Sequence, residues 1–274
     1  MISRPVTKQN KNDGILEAGR KNVRILIADD DVITLSVNKM MLEQAGYQVE
    51  TVTDGQAAIE ILRKSTFDMV FMDCLMPVMD GFTATRTIRS SAPEIMNGGI
   101  PVVALTGLAT PPDLAKCKDA GMDDVLIKPV DPHQLLAMAE YYLEAIQKER
   151  LLSGQSNGEP DARVLHSDET QSVTEPKSVE EFQESISDKF LQQIPQVISD
   201  LTIALLHEDM TELQFIVHRL RGSADVVGAS KLSILAATVE AAIKDNKSAL
   251  ALKHTPELMG KLEKLQNIFS ESSD

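Results

Sequence analysis

Phe67-Asp68-Met69-Val70-Phe71-Met72-Asp73, followed by Cys74-Leu75-Met76-Pro77-Val78-Met79-Asp80-Gly81, is an apolar run that ends on a carboxylate and then stops at Pro77 and Gly81. A short continuous run bounded by turn residues is the pattern of a strand buried on both faces. Such a strand delivers Asp73 to its carboxyl end, where open α/β sheets keep their sites.

Outward from this run, four further segments read as strands: Arg24 to Ala28, Gln48 to Val52, Pro101 to Leu105 and Val125 to Ile127. Segments of helical period follow each strand: Val32 to Ala45, Gly55 to Lys64, Phe82 to Arg89, Asp113 to Ala120 and Pro132 to Lys148. Strand-then-helix repetition at this spacing predicts a doubly wound (βα)5 parallel sheet covered on both faces. Gly46 and Gly121 follow helices, and Asp54 and Asp131 are placed as helix caps.

The strand ends collect chemistry. Asp29, Asp30 and Asp31 close the first strand, Asp73 the third, Thr106 the fourth and Lys128 the fifth. Asp31 reads as a helix cap. Two like charges about 4 Å apart repel by roughly 4 kcal/mol at an effective dielectric of 20, so Asp29, Asp30 and Asp73 in one pocket need a cation. A hard divalent ion with oxygen ligands, Mg²⁺, suits that donor set, and Lys128 with Thr106 suits the oxygens of a transferring phosphoryl group.

The 274 residues carry a net charge of −14, which argues against nucleic-acid binding, a role that needs a basic stripe. No stretch approaches the roughly 18 apolar residues that span a bilayer, so no direct membrane insertion is expected. Cys74 and Cys117 have neither paired nor metal-type spacing and read as small buried hydrophobes of a reducing, cytoplasmic protein. Residues 1–22, rich in Lys, Asn and Gln, read as a disordered tail. Residues 23–148 form the first domain, 149–178 a flexible linker rich in Gly, Ser, Asn, Pro and Glu, and 179–274 a second domain.

That second domain is almost wholly helical in pattern, with Phe190, Ile194, Val197, Ile198, Leu201 and Leu205 on one face. Pro195 predicts a kink or a late start. Breaks at Asp209, at Gly228-Ala229 and at His254-Thr255-Pro256 divide the rest into antiparallel helices, so a four-helix-type bundle is expected. Within it lies His218-Arg219-Leu220-Arg221-Gly222-Ser223-Ala224. On a 100° wheel Ile216, Leu220, Ser223 and Val227 fall within about 40° of the side opposite His218, which turns the imidazole towards water. Gly222 costs about 1 kcal/mol relative to Ala in a helix interior and so asks for a reason, which room beside the ring would supply. Arg221, at i+3, can pair with a phosphate there, and Gln214, at i−4, can orient the ring. The other histidines, His133, His166, His207 and His254, have no such setting.

With these residues in view, 23–148 resembles the flavodoxin-like receiver domain of two-component response regulators. The run from His218 to Glu240 resembles a histidine-containing phosphotransfer (HPt) domain, a likeness extending from about Val179 to Phe269. The first resemblance implies that Asp73 is the phosphoacceptor and that Asp30, Asp73 and the backbone carbonyl of Leu75 bind Mg²⁺, with Asp29 acting mainly through water. It also implies that Thr106 and Lys128 contact the acyl phosphate, with a cis Lys128-Pro129 bond. Val125 departs from the aromatic residue that many receivers place three before the lysine, and with it goes the usual coupling of threonine movement to an aromatic rotamer. Arg221 stands where HPt domains usually have Lys. Asp225, at i+7, is a further departure, either holding the imidazole proton or repelling a phosphate.

Together the resemblances imply a cytoplasmic phosphorelay component that accepts a phosphoryl group on Asp73 and carries one on His218. It would shuttle phosphate between a sensor or hybrid histidine kinase and a downstream receiver, without kinase activity of its own. Two alternatives stand beside this: a receiver-controlled binding module whose HPt half is inactive, and a phosphate sink that drains the pathway.

Overall fold

The computed structural model describes residue 20 and residues 23–90, 95, 99–107, 110–152 and 179–272; most of the expected tail and most of the expected linker lie outside these. The chain divides into two compact units, one built on a sheet and one on four helices.

The sheet unit runs β1 (Arg24–Ala28), α1 (Val32–Gln44), β2 (Gln48–Val52), α2 (Gly55–Lys64), β3 (Met69–Asp73), α3 (Gly81–Ser90), β4 (Val102–Thr106), α4 (Pro111–Ala120), β5 (Asp124–Ile127) and α5 (Pro132–Leu152). All pairings are parallel, in the order β2-β1-β3-β4-β5. The two central strands β3 and β4 are buried at every residue, which is why their sequences are continuously apolar rather than alternating. Alternate residues feed opposite layers. Leu26, Val70, Met72, Val102 and Ala104 pack with Ala58, Leu62, Ala84, Ile88 and Cys117 of α2, α3 and α4. Ile25, Ile27, Phe71, Val103 and Leu105 pack with Leu35, Leu42, Leu135 and Ala139 of α1 and α5.

Local chemistry sets the ends of these elements. Asp54 caps α2 by accepting from Ala57 N at 2.8 Å, and Asp131 accepts from His133 N at 2.7 Å at the start of α5. Gly121 closes α4 at φ 89°. α5 continues through Leu152, so residues 149–152 are helix and not linker. The turn after β3 is tight: Met79 N donates to Pro77 O at 2.6 Å, Gly81 N to Cys74 O at 3.2 Å and Gly55 N to Met79 O at 3.0 Å. Within it Val78 adopts φ 64° while 86% exposed. Cys74 and Cys117 are both buried free thiols, as their sequence setting suggests, but their sulfurs lie 3.8 Å apart.

The helical unit contains α6 (Val179–Leu206), α7 (Met210–Val226), α8 (Ser230–Lys244) and α9 (Ser248–Ser272). Three-residue connectors join them, centred on Glu208, Gly228 and Asn246, each at positive φ. Connectors this short make neighbouring helices antiparallel. Asp209 caps α7 through Thr211 N and Glu212 N, both at 3.0 Å. The core includes Phe190, Ile194 and Leu201 of α6, Leu213, Ile216 and Leu220 of α7, Leu232 and Val239 of α8, and Leu258 and Leu262 of α9.

Two sequence expectations are corrected here. α6 does not start late at Pro195 but begins at Val179 and runs through it, and α9 runs through Pro256 rather than breaking at His254-Thr255-Pro256; the break lies at Asp245 to Lys247. A proline removes one backbone donor, but the buried stripe on either side holds the helix together. In α9 the buried Thr255 hydroxyl donates to Ala251 O at 2.8 Å, placing a side-chain donor in the turn where the backbone lacks one. Among the described residues no helix is long and apolar enough to cross a membrane.

The packing makes opposite predictions for two glycines. A Cβ at Gly81 would lie 2.0 Å from Asp73 O, whereas one at Gly260 in α9 meets nothing within 4 Å. Gly81→Ala should therefore destabilise the sheet unit by about 1–3 kcal/mol or more, the range of overpacking, and Gly260→Ala should stabilise the bundle by up to about 1 kcal/mol. All three tyrosines, Tyr47, Tyr141 and Tyr142, lie in the sheet unit and there is no tryptophan. Tyrosine fluorescence in urea thus isolates the first effect, and far-UV circular dichroism reads the second.

Candidate functional site

Parallel register brings the strand ends level. Ala28 pairs with Met72, Asp73 with Leu105 and Thr106 with Ile127, so Asp29, Asp73, Thr106 and Lys128 emerge along one edge of the sheet. Asp29, Asp30, Asp73, Thr106 and Lys128 are all buried. Carboxylate oxygens of Asp29, Asp30 and Asp73 lie within 4.8 Å of one another. Asp31 turns away into local capping: its carboxylate accepts from Ile33 N at 3.0 Å and from the Thr34 hydroxyl at 2.6 Å.

Lys128 Nζ sits 2.7 Å from Asp29 Oδ2 and 2.6 Å from Asp73 Oδ2. Burial alone would lower the pKa of this ammonium, but the two carboxylates outweigh it and hold Lys128 charged, above its ordinary value. The other Asp73 oxygen, Oδ1, accepts from Leu75 N at 3.1 Å. Lys128 is itself placed by its backbone N, which donates to Thr106 O at 2.7 Å, and the bond to Pro129 is cis. Three carboxylates against one ammonium leave a net negative pocket of hard oxygen donors, which fits a divalent cation of the Mg²⁺ type. A groove of about 510 Å³ between β5 and α5, lined by Val125, Ile127, Gln134 and Tyr141, holds none of these three acids. Val125 packs partly buried against the α2–α4 side of the sheet.

In the bundle, His218 Nδ1 lies 2.9 Å from Oε1 of Glu240 on the neighbouring helix α8. Glu240 is 1% exposed and also receives Arg221 Nη1 at 3.2 Å and Lys244 Nζ at 2.8 Å. Burial alone would raise the Glu240 pKa, but the hydrogen bond and charge of His218 and the Lys244 ammonium bring it down to about 2. An ionised carboxylate can only accept, so Nδ1 carries a proton, and whenever the ring is neutral its lone pair falls on Nε2.

Glu240 was missed by sequence reasoning, which gave the orienting role to Gln214 and weighed Asp225 as the carboxylate near the ring. One signal was available. Glu240 follows Leu232, Ala236 and Val239 on the buried side of α8, and an acid in that stripe needs cationic partners. Arg221, read as a phosphate partner, is engaged with the same glutamate.

Both halves of the chain match known domains. Residues 25–140 match the response regulator receiver domain, and residues 185–270 match the Hpt domain. The sensor protein GacS of Pseudomonas syringae is 27% identical over 242 residues, 88% of this chain and 26% of that protein. The CAI-1 autoinducer sensor kinase/phosphatase CqsS of Vibrio cholerae is 37% identical over 127 residues, 46% of this chain and 18% of that protein. The chain thus spans about a quarter or less of the length of these two relatives. A solved receiver domain of a Pseudomonas aeruginosa sensor histidine kinase, described with magnesium in its active-site cleft, is 35% identical, with a TM-score of 0.41 over 44% of this chain and 98% of that one. The sheet unit, over residues 25–140, therefore belongs to the response regulator receiver domains and the bundle, over residues 185–270, to the Hpt domains of two-component phosphorelays.

Proposed function

We propose that this chain is a cytoplasmic phosphorelay intermediate that accepts a phosphoryl group on Asp73 and carries one on His218, between a sensor or hybrid histidine kinase and a downstream receiver. The observation that carries this reading is the Asp73 carboxylate, buried at the end of β3 with Lys128 on one oxygen and the Leu75 amide on the other. On accepting from a phosphohistidine, an Asp73 oxygen bonds to phosphorus while the donor's N–P bond breaks. Lys128 balances the charge on the phosphoryl oxygens, and the Thr106 hydroxyl, one strand away, is the neutral donor beside it. Asp29, Asp30 and Asp73, with the carbonyl of Leu75, would hold Mg²⁺, which supplies charge neutralisation for the transferring group.

The same reading assigns His218 Nε2 as the nitrogen that takes a phosphoryl group. Glu240 holds the Nδ1 proton and keeps the ring in the nucleophilic tautomer, and Arg221 at the next turn supplies positive charge. Neither the receiver nor the Hpt domain is a kinase domain, so the phosphoryl group comes from another kinase module.

Acetyl phosphate with Mg²⁺ should label the wild-type chain once, at Asp73. Asp73→Asn or chelation should abolish labelling, and Lys128→Ala should slow it about 10²-fold, the scale for losing one charge-stabilising donor, while the exposed Lys118→Ala leaves it unchanged. Intact-mass spectrometry follows the phosphate, and acyl phosphate persisting in Asp73→Asn sinks the assignment.

Glu240 yields a pH-dependent prediction. Its folded pKa of about 2 lies below the ordinary glutamate value, so its stabilisation is fully present above that ordinary value and is lost as pH falls towards 2. Glu240→Gln should cost on the order of 3 kcal/mol near neutral pH, with the difference from wild type shrinking below about pH 4. Urea unfolding followed by circular dichroism at several pH values measures this, and a pH-independent difference counts against the charged His218–Glu240–Lys244 cluster.

A further inference from the structure

Cys74 and Cys117 are the only cysteines in the chain, and the receptor chemistry of Asp73 uses neither of them. One follows Asp73 directly, and the other lies in α4. Separated by 43 positions, their sulfurs meet at 3.8 Å, van der Waals contact with nothing between them. A disulfide needs about 2.05 Å, so closing the pair takes a shift of about 1.8 Å shared between two side chains and the backbone that carries them.

We propose that Cys74 and Cys117 form a reversible disulfide when the protein meets a small peroxide, and that the bridge slows phosphorylation of Asp73. Peroxide converts one thiol to a sulfenic acid with loss of water; the second sulfur displaces the hydroxyl, the S–S bond forms and a second water leaves. Two thiols and one hydrogen peroxide thus give one disulfide and two waters. The thiols are 1% and 2% exposed, which keeps out bulky disulfide reagents and selects a small oxidant. It also protects the pair from bridging to other chains.

The effect on Asp73 rests on its reading as phosphoacceptor, and it follows from where Cys74 sits. Cys74 N donates to Leu105 O at 3.1 Å, Cys74 O accepts from Gly81 N at 3.2 Å, and the next amide, Leu75 N, holds Asp73 Oδ1. Drawing Cys74 towards α4 strains the backbone that aims the carboxylate, and it ties down the helix that follows Thr106. A displacement on the ångström scale at a reacting group costs about 10²-fold in rate, so a partial one should cost at least about tenfold.

The full-length chain is treated with hydrogen peroxide and mapped by non-reducing peptide mass spectrometry. A Cys74–Cys117 linked peptide is expected, lost on adding dithiothreitol and absent in Cys117→Ser and in Cys117→Ala. Thiols that both stay alkylatable after unfolding, or that oxidise separately to sulfinic acids without a linked peptide, overturn the proposal. In the second arm the oxidised wild type should take phosphate from acetyl phosphate at least tenfold more slowly than the reduced form, recover with reductant, and differ from Cys117→Ser, whose rate peroxide leaves unchanged. Equal rates for bridged and reduced wild type overturn the coupling. If the reduced wild type takes no phosphate at Asp73, the phosphoacceptor reading and the proposed coupling both fail, whereas the linked peptide is read independently of it.

Discussion

Three carboxylates converge at one buried end of the sheet, and a single ammonium stands between two of them. Asp29 and Asp73 end adjacent strands and would repel each other strongly in so poorly solvated a place; Lys128, held within 2.7 Å of both, converts that repulsion into a reason for the strand ends to stay together. The arrangement depends on the parallel register, since only with β1, β3, β4 and β5 running the same way do these residues emerge on one edge. Charge balance is left incomplete. One lysine against three acids keeps the pocket electronegative and therefore receptive to a further cation, the condition that the proposed arrival of an anionic phosphoryl group at Asp73 requires.

The bundle solves the inverse problem. There a single carboxylate, Glu240, lies nearly inaccessible on a helix face and is surrounded by His218, Arg221 and Lys244. A buried acid of this kind would be costly alone, and truncating its cationic partners would leave it uncompensated. Its presence fixes which imidazole nitrogen bears the proton, so a structural ion cluster and the chemistry of the ring are the same feature. The two halves of the chain thus carry opposite excesses of charge around Asp73 and His218.

Much of this was legible in the residues. Asp73, Asp29, Asp30, Thr106 and Lys128 could be found because each ends an apolar strand-like run, and a repeated strand-then-helix order makes strand ends coincide. What escaped were features created by packing between distant segments. Glu240 belongs to a different helix from His218, so a wheel drawn on one helix cannot show that the two meet. Pro195 and Pro256 suggested interruptions because local propensity is weighed residue by residue, whereas the buried stripes of α6 and α9 act over whole helices. Cys74 and Cys117 have no telling spacing in the chain, and only the seating of α4 against the end of β3 puts their sulfurs together.

Val78 carries a different lesson. A β-branched residue at φ 64° is in a conformation that sterics disfavour by about 1–2 kcal/mol, yet its side chain is almost wholly in solvent and has no burial to offset that cost. The backbone bonds of Met79, Gly81 and Gly55 on either side impose the turn whatever residue occupies the position. Tolerance to change at this site is therefore lopsided: glycine or asparagine would relax the turn, other side chains would inherit its tension, and proline, whose ring locks φ near −65°, is shut out altogether.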